Sequence, residues 1–126
     1  MGKRKYHDKD AALKAVVEDG YALQFVSRDL QNDNDVVLAA VTQTGDALRY
    51  ASDECQNNKK IVMQAVSSYG LALAFASDRL KNDNDVVQAA YDSNPDAVEF
   101  AGEKLVDKRL KAKKEAESAS EDSLNK

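Results

Sequence analysis

The sequence predicts an all-α protein, a short α-solenoid of four helix-turn-helix repeats of 25 residues with an extended C-terminal helix. The first observation behind this prediction is an internal repeat: residues 35–41 return almost unchanged as residues 85–91, and related segments begin at residues 10 and 60. The second is the helical spacing of the apolar residues in these segments. The third is a glycine or proline at one position of every copy, which divides each repeat in two.

The composition fits such an array better than a β-rich domain. The chain of 126 residues has room for one domain, and its hydrophobic residues (43%) include no tryptophan, so the core should consist mainly of small aliphatic side chains. Five glycines and one proline provide few turns for a fold of many short strands. No apolar run is long enough for a membrane-spanning helix, and the first residues lack the apolar stretch of a secretory signal.

Each repeat begins with a residue that favours the N-terminus of a helix. These N-cap positions are Asp8, Asp33, Asn58 and Asp83. The helix that follows should extend for about ten residues. In the second copy, Val36, Val37 and Ala40 fall on one stripe of the helical period, so this stripe should face the core. The valine pairs alone would favour a strand, but the segments lack strict alternation of apolar and polar residues.

The middle of each repeat should be a turn. Gly20, Gly45 and Gly70 share one position, where we expect a glycine that ends the first helix in the left-handed conformation. Pro95 replaces glycine in the fourth copy and should lie in the first turn of a new helix, behind Asn94 as N-cap. One helix through all four repeats is excluded, because a proline in a helix interior costs about 3 kcal/mol.

A second helix should complete each repeat, and stacking of the four units should bury a continuous apolar core, because a pair of short helices is not stable alone in water. Three positions are aliphatic or aromatic in nearly every copy: Leu23, Leu48, Leu73 and Val98; Phe25, Tyr50, Phe75 and Phe100; and Leu30, Cys55, Leu80 and Leu105. Small residues should let neighbouring helices approach closely at Ala15, Ala40, Ala65 and Ala90.

Charge and composition divide the chain into three segments. Residues 1–7 form a basic N-terminal segment, residues 8–109 the four-repeat helical domain, and residues 110–126 a charged helix extension with a disordered tail. The net charge of −4 conceals a repeat body, residues 8–107, with nine basic and eighteen acidic side chains. Basic clusters flank this body on both sides. An acidic body favours a basic partner.

The residues that most often bind metals or act as nucleophiles are better explained as structural. His7 is the only histidine, so no histidine pair is available for a metal site. Cys55 replaces leucine at a core position and should be a buried apolar residue. The Asn/Asp clusters at residues 32–35 and 82–85 depart from the EF-hand pattern and should cap helices.

Three serines also share one position of the repeat, namely Ser27, Ser52 and Ser77. They lack the glycine-flanked turn of a hydrolase nucleophile, and three equivalent serines do not form one active site. We expect them to be small residues at a close helix contact. The sequence therefore predicts no catalytic site, no cofactor and no metal.

Exposed positions on the turns, and positions that vary between copies, are the candidates for contact with a partner. They are Tyr21, Tyr69, Leu71, Arg28 and Arg49. The turn residues among them are equally suited to holding adjacent turns together. The basic terminal clusters are candidates for contact with phosphate. Their residues are Lys3, Arg4, Lys5, Lys108, Arg109, Lys111, Lys113 and Lys114.

The run GDALRYAS at residues 45–52 and the junction DNDVV at residues 83–87 resemble the repeat of the domain of unknown function 4116 family. The resemblance extends over nearly all of residues 8–105. It implies a tandem helical array. Because the family has no assigned activity, the resemblance supports the fold and leaves the function open.

These observations favour a non-enzymatic, helical-repeat scaffold for protein–protein interaction or assembly. A single cysteine suits an intracellular, cytoplasmic setting. The partner should be another protein, and the acidic body favours a basic one. Nucleic acid bound by the terminal clusters is the alternative, although the basic runs lack interleaved aromatic residues for stacking on bases. The identity of the partner and the oligomeric state stay open.

Overall fold

A computed structural model describes residues 6–102, which form the predicted all-α array of stacked repeats. Each repeat starts with a ten-residue α-helix, followed by a six-residue 3-10 helix. A four-residue α-helix ends each of the first three repeats. The α-helices are α1 (Lys9–Glu18), α2 (Arg28–Gln31), α3 (Asn34–Gln43), α4 (Asp53–Gln56), α5 (Lys59–Ser68), α6 (Asp78–Lys81) and α7 (Asn84–Ser93). The 3-10 helices are η1 (Gly20–Phe25), η2 (Gly45–Tyr50), η3 (Gly70–Phe75) and η4 (Pro95–Phe100).

The long α-helices begin at the predicted N-caps. The side-chain oxygens of Asp8, Asp33, Asn58 and Asp83 each accept a hydrogen bond from a backbone N–H in the first turn. Asp33 accepts two, from Asp35 at 2.9 Å and from Val36 at 3.1 Å. A cap of this kind contributes about 1 kcal/mol. The capping explanation of both Asn/Asp clusters is therefore confirmed.

In each of the first three repeats the second half is divided, where the sequence predicted one helix. The 3-10 helix η1 ends at Phe25, the backbone of the next residue, Val26, is extended, and Ser27 is the N-cap of the short helix α2. The Ser27 hydroxyl accepts the N–H of Leu30 at 3.3 Å. Ser52 and Ser77 cap α4 and α6 in the same way. These serines are therefore N-caps, and their prediction as small contact residues missed this role.

The glycine position also differs from its prediction. None of Gly20, Gly45 and Gly70 adopts the left-handed conformation, and each is the first residue of a 3-10 helix. A Cβ atom on Gly45 would lie 2.6 Å from the carbonyl oxygen of Ala65 in the next repeat. The same approach occurs at Gly20 against Ala40 and at Gly70 against Ala90. Glycine is needed because two backbones meet here, which agrees with the predicted close approach at the alanines.

The core lies between two rows of helices. Helices α1, α3, α5 and α7 pack in one row, and the four 3-10 helices pack in the other. Leu23, Leu48 and Leu73 of the 3-10 helices are fully buried against the valines of the long helices. In the fourth copy Pro95 is the first residue of η4, behind Asn94 as N-cap, as predicted.

One backbone hydrogen bond recurs at every junction between repeats. In each case an N–H donates to the carbonyl oxygen 21 residues earlier. The pairs are Ser27 to Tyr6 at 2.7 Å, Ser52 to Gln31 at 3.0 Å, Ser77 to Gln56 at 2.9 Å, and Gly102 to Lys81 at 2.7 Å. Tyr6 thus supplies to the first repeat the carbonyl that a preceding repeat would supply. It also forms a parallel bridge with Val26.

The predicted terminal segments lie largely outside the described residues. These comprise most of the basic segment 1–7, the extended C-terminal helix, the tail 110–126 and all eight candidate phosphate contacts. Among residues 6–102, no helix combines the length and the apolar character needed to cross a membrane.

Candidate protein interaction surface

The row of 3-10 helices carries a line of aromatic rings on its surface. The last residue of each 3-10 helix is aromatic, and we call these four residues the aromatic ladder: Phe25, Tyr50, Phe75 and Phe100. The residue that follows is extended in each case, so every ring sits at the same point of its repeat. The two end rings, Phe25 and Phe100, are 44% and 37% exposed. The ladder therefore leaves apolar area exposed at the surface of this row.

Arg49 joins two rings of the aromatic ladder. Its guanidinium carbon lies 5.6 Å from the centroid of the Tyr50 ring and 5.4 Å from that of Phe75. Tyr50 belongs to the second repeat and Phe75 to the third, so this cation–π contact crosses a repeat junction. An exposed contact of this kind contributes about 0.5–1 kcal/mol. The guanidinium also lies 3.9 Å from the Asp46 carboxylate.

Tyr21 extends this cluster toward the first repeat. Its ring meets the Tyr50 ring edge-on, with centroids 6.5 Å apart and planes at 83°. The Tyr21 hydroxyl donates a hydrogen bond to the Asp46 carboxylate at 3.1 Å. This hydrogen bond and the negative charge of Asp46 raise the pKa of Tyr21. Asp46 thus holds both Tyr21 and Arg49 in place.

A polar pocket of about 380 Å³ lies beside this cluster. Its lining includes Tyr21, Asp46, Ser68 and Tyr69, and it opens at the turns that precede the 3-10 helices. Both tyrosines are 40% exposed. Their rings and the carboxylate offer apolar contact together with a hydrogen-bond acceptor, a combination typical of protein interfaces.

The structure brings together three of the five predicted partner contacts. Tyr21 and Tyr69 line the polar pocket, and Arg49 joins them through Asp46. Leu71 is only partly exposed and packs against the core, as expected of a residue that holds adjacent turns together. Arg28 is exposed at the start of α2 and does not line the pocket.

A second, more apolar surface lies on the long helices, and the sequence interpretation missed it. A groove of about 500 Å³ runs between α1 and α3, lined by Val17, Leu38 and Ala39 among others. Val17 is 62% exposed. Its position is held by polar residues in later copies, Ser67 and Asp92. The available signal was an apolar residue beside the core stripe of α1 that later repeats do not share.

Two lysine residues each join one repeat to the next. Lys9 of the first repeat places its Nζ atom 3.2 Å from Asp33 and 2.8 Å from Asp35 of the second. Lys59 of the third repeat makes the same contacts with the fourth, 3.2 Å to Asp83 and 2.8 Å to Asp85. We call these contacts the lysine clips. Asn34 and Asn84 stand where these lysines stand in the other copies.

The lysine clips alter the protonation of the capping carboxylates. Burial opposes ionisation of Asp33, but the hydrogen bonds from the Val36 N–H and from Lys9 outweigh it, so the pKa of Asp33 is lowered. Asp83 behaves in the same way beside Lys59. These carboxylates cap helices and bind lysine. No group of three or more His, Cys, Asp or Glu side chains within residues 6–102 is arranged to hold a metal ion.

Cys55 is buried, as predicted, with 1% of its surface exposed. Its thiol lies 3.6 Å from the Asn34 side-chain oxygen. Burial raises the pKa of this thiol, which disfavours the reactive thiolate. Cys55 therefore fills the core position that leucine fills in the neighbouring copies.

The comparison with known proteins agrees with this architecture. No curated protein and no solved structure matches the chain. The family model for a domain of unknown function, DUF4116, matches residues 8–56 and again residues 58–106. Each match spans two 25-residue repeats, and each contains one lysine clip. Because the two matches together cover most of the sequence, the chain belongs to the DUF4116 family of tandem repeats.

Proposed function

We propose that this protein is a non-enzymatic interaction scaffold that binds a partner protein across the row of 3-10 helices. The observation that carries the proposal is the cluster of Tyr21, Arg49 and Tyr50 around Asp46. Tyrosine and arginine are the residues that most often dominate the binding energy of protein interfaces. The backbone that presents them is a regular, hydrogen-bonded helical array, so little order has to be gained on binding.

The charge of the array supports a basic partner. Residues 6–102 carry eight basic and sixteen acidic side chains. Lys9 and Lys59 already have carboxylate partners in the lysine clips. An approaching partner therefore meets a surface with a negative electrostatic potential. Such a field accelerates association with a positively charged surface. The buried, unpaired Cys55 fits the reducing intracellular setting proposed for the chain.

Affinity capture with the full chain tests this proposal. Arg49→Glu removes the cation–π contacts and reverses one charge on the surface, whereas Lys60→Glu reverses one charge on α5, away from the ladder. We expect wild type and Lys60→Glu to retain a stoichiometric partner in quantitative mass spectrometry. Arg49→Glu should retain at least about fivefold less. Circular dichroism checks that both variants are folded.

Two outcomes would contradict the scaffold proposal. Wild-type protein that captures no partner in stoichiometric amount would remove its basis. Equal retention by Arg49→Glu and Lys60→Glu would show that the aromatic cluster does not form the binding surface.

Binding of nucleic acid is the second candidate function. The observation in its favour is the basic density of residues 108–114, which include five lysines and arginines. The acidic repeat body opposes it. A titration of the full chain with single-stranded RNA at low salt tests it, and binding that weakens steeply with added salt would support it. A flat titration would exclude it.

A further inference from the structure

We propose that the aromatic ladder contains a binding site for an arginine side chain of a basic partner protein, in the gap between Phe75 and Phe100. This inference rests on the proposed scaffold function and names the chemistry of its partner. The site lies one repeat after Arg49, where Ala74 occupies the equivalent position.

Arg49 shows what the ladder accommodates. Its guanidinium lies about equally far from the rings on either side, 5.6 Å from Tyr50 and 5.4 Å from Phe75. The spacing of neighbouring repeats therefore admits a planar cation between two consecutive rings. The chain itself fills this gap, between the second and third repeats.

The next gap is flanked by 3-10 helices of the same length, η3 and η4, and has a shorter side chain at the equivalent position. The residues that flank the 3-10 helices keep their conformation from copy to copy: the C-caps Ala51, Ala76 and Ala101 have φ of −74°, −73° and −68°. Ala74 is thus placed over Phe75 and toward Phe100, as Arg49 is placed over Tyr50 and toward Phe75. A methyl group does not reach between the rings. In the first copy the position carries a long side chain, Gln24.

The charge around this gap favours a cation. The fourth repeat places Glu99 at the position of Arg49 and Asp96 at the position of Asp46, and both carboxylates are exposed. Phe100 is 37% exposed. A guanidinium between Phe75 and Phe100 would meet two ring faces, in an array whose side chains are mostly acidic where they are charged. Arginine suits this site better than lysine, because its planar group stacks on aromatic rings and is more weakly hydrated.

Fluorescence anisotropy with the full chain and a defined peptide tests the site. The probe is a fluorescein-labelled peptide of alternating arginine and glycine, compared with the same peptide carrying citrulline, which keeps the shape of arginine without its charge. Ala74→Arg should fill the gap from within, as Arg49 fills its own. Ser67→Arg adds the same charge at an exposed position of α5 and serves as the matched control.

We expect Ala74→Arg to weaken binding of the arginine peptide by at least about fivefold, and Ser67→Arg by less than about twofold. The citrulline peptide should bind wild type at least about fivefold more weakly than the arginine peptide. Equal losses in the two variants would show that binding depends only on overall charge and would overturn the proposal. Equal binding of the two peptides would overturn it as well.

The basic segment of the chain itself is the rival occupant. A full-length variant with Lys111→Glu and Lys113→Glu tests it. If wild type does not bind the arginine peptide and this variant does, the gap is occupied by the chain's own segment, and the assignment to a partner is wrong. If both bind the peptide alike, the partner assignment stands.

The two proposals fail separately. A partner captured by Ala74→Arg as well as by wild type, but lost from Arg49→Glu, would leave the scaffold function standing without the arginine site. Peptide binding that Ala74→Arg abolishes, without any captured partner, would leave the site standing without the scaffold function.

Discussion

Replacing Gly45 with alanine should destabilise the array, although alanine is the better residue in most helices. The added Cβ atom would lie 2.6 Å from the Ala65 carbonyl oxygen and 2.8 Å from the Tyr69 Cβ atom, whereas ordinary contacts begin at 3.4 Å. The backbones of η2 and α5 must therefore separate by about 0.8 Å. Overpacking of this kind costs about 1–3 kcal/mol. We expect a net loss of about 2 kcal/mol, or a fall in Tm of about 10 °C.

Thermal and urea unfolding, followed by far-UV circular dichroism, measure this loss. Gly102→Ala is the matched control, because the three atoms nearest to its added Cβ all belong to the side-chain amide of Asn82, the flexible end of an exposed side chain. The control should change the stability by less than about 0.5 kcal/mol. A Gly45→Ala protein as stable as wild type, or more so, would refute the close approach of the two backbones. At an ordinary turn, alanine would stabilise by about 0.4–1 kcal/mol through the unfolded state.

Three further results are expected. Lys59→Met should be less stable than wild type at neutral pH. Because the pKa of Asp83 is lowered in the folded protein, the stability that its ionised form contributes is present above the ordinary aspartate pKa of 3.8 and is lost as pH falls through the folded pKa. Urea unfolding at decreasing pH should therefore show a shrinking difference in stability between Lys59→Met and wild type. A constant difference would contradict this account. Gly102→Ser should raise the stability by about 0.5–1 kcal/mol relative to Gly102→Ala, since the hydroxyl would donate to Asn82 as the serines of two earlier copies donate to their asparagines; a serine variant no more stable than the alanine variant would rule this bond out. Cys55 should react with Ellman's reagent only after opening of the array, so the destabilised glycine variant described above should react about thirtyfold faster than wild type; equal rates would indicate local access to the thiol.

Most of the fold could be predicted from the sequence, because its signals are local. Asp33 and its equivalents cap helices through bonds to residues two or three positions ahead, and the composition of one turn predicts such bonds. The short helices were missed because the serine before each of them was interpreted as a small residue at a helix contact and not as an N-cap. Acidic residues directly after Ser52 and Ser77 were the available sign of a helix start.

The candidate site could be predicted only in part, because its contacts cross repeats. Tyr21 and Tyr69 were identified as exposed turn residues, but their shared pocket depends on the rotation between one repeat and the next. The contact of Arg49 with Phe75 depends on the same rotation. The role predicted for Gly20, Gly45 and Gly70 was wrong for a related reason. The carbonyl oxygen that an added Cβ atom would contact belongs to the following repeat.

The lysine clips bear on how such an array can change in length. Loss of one copy, residues 33–57, would set Lys9 opposite Lys60 where Asp35 now stands, and like charges would face each other at the new boundary. Loss or gain of two copies leaves the lysine of each lysine clip opposite a carboxylate. Duplication in steps of fifty residues is therefore the electrostatically matched route for elongation of this chain.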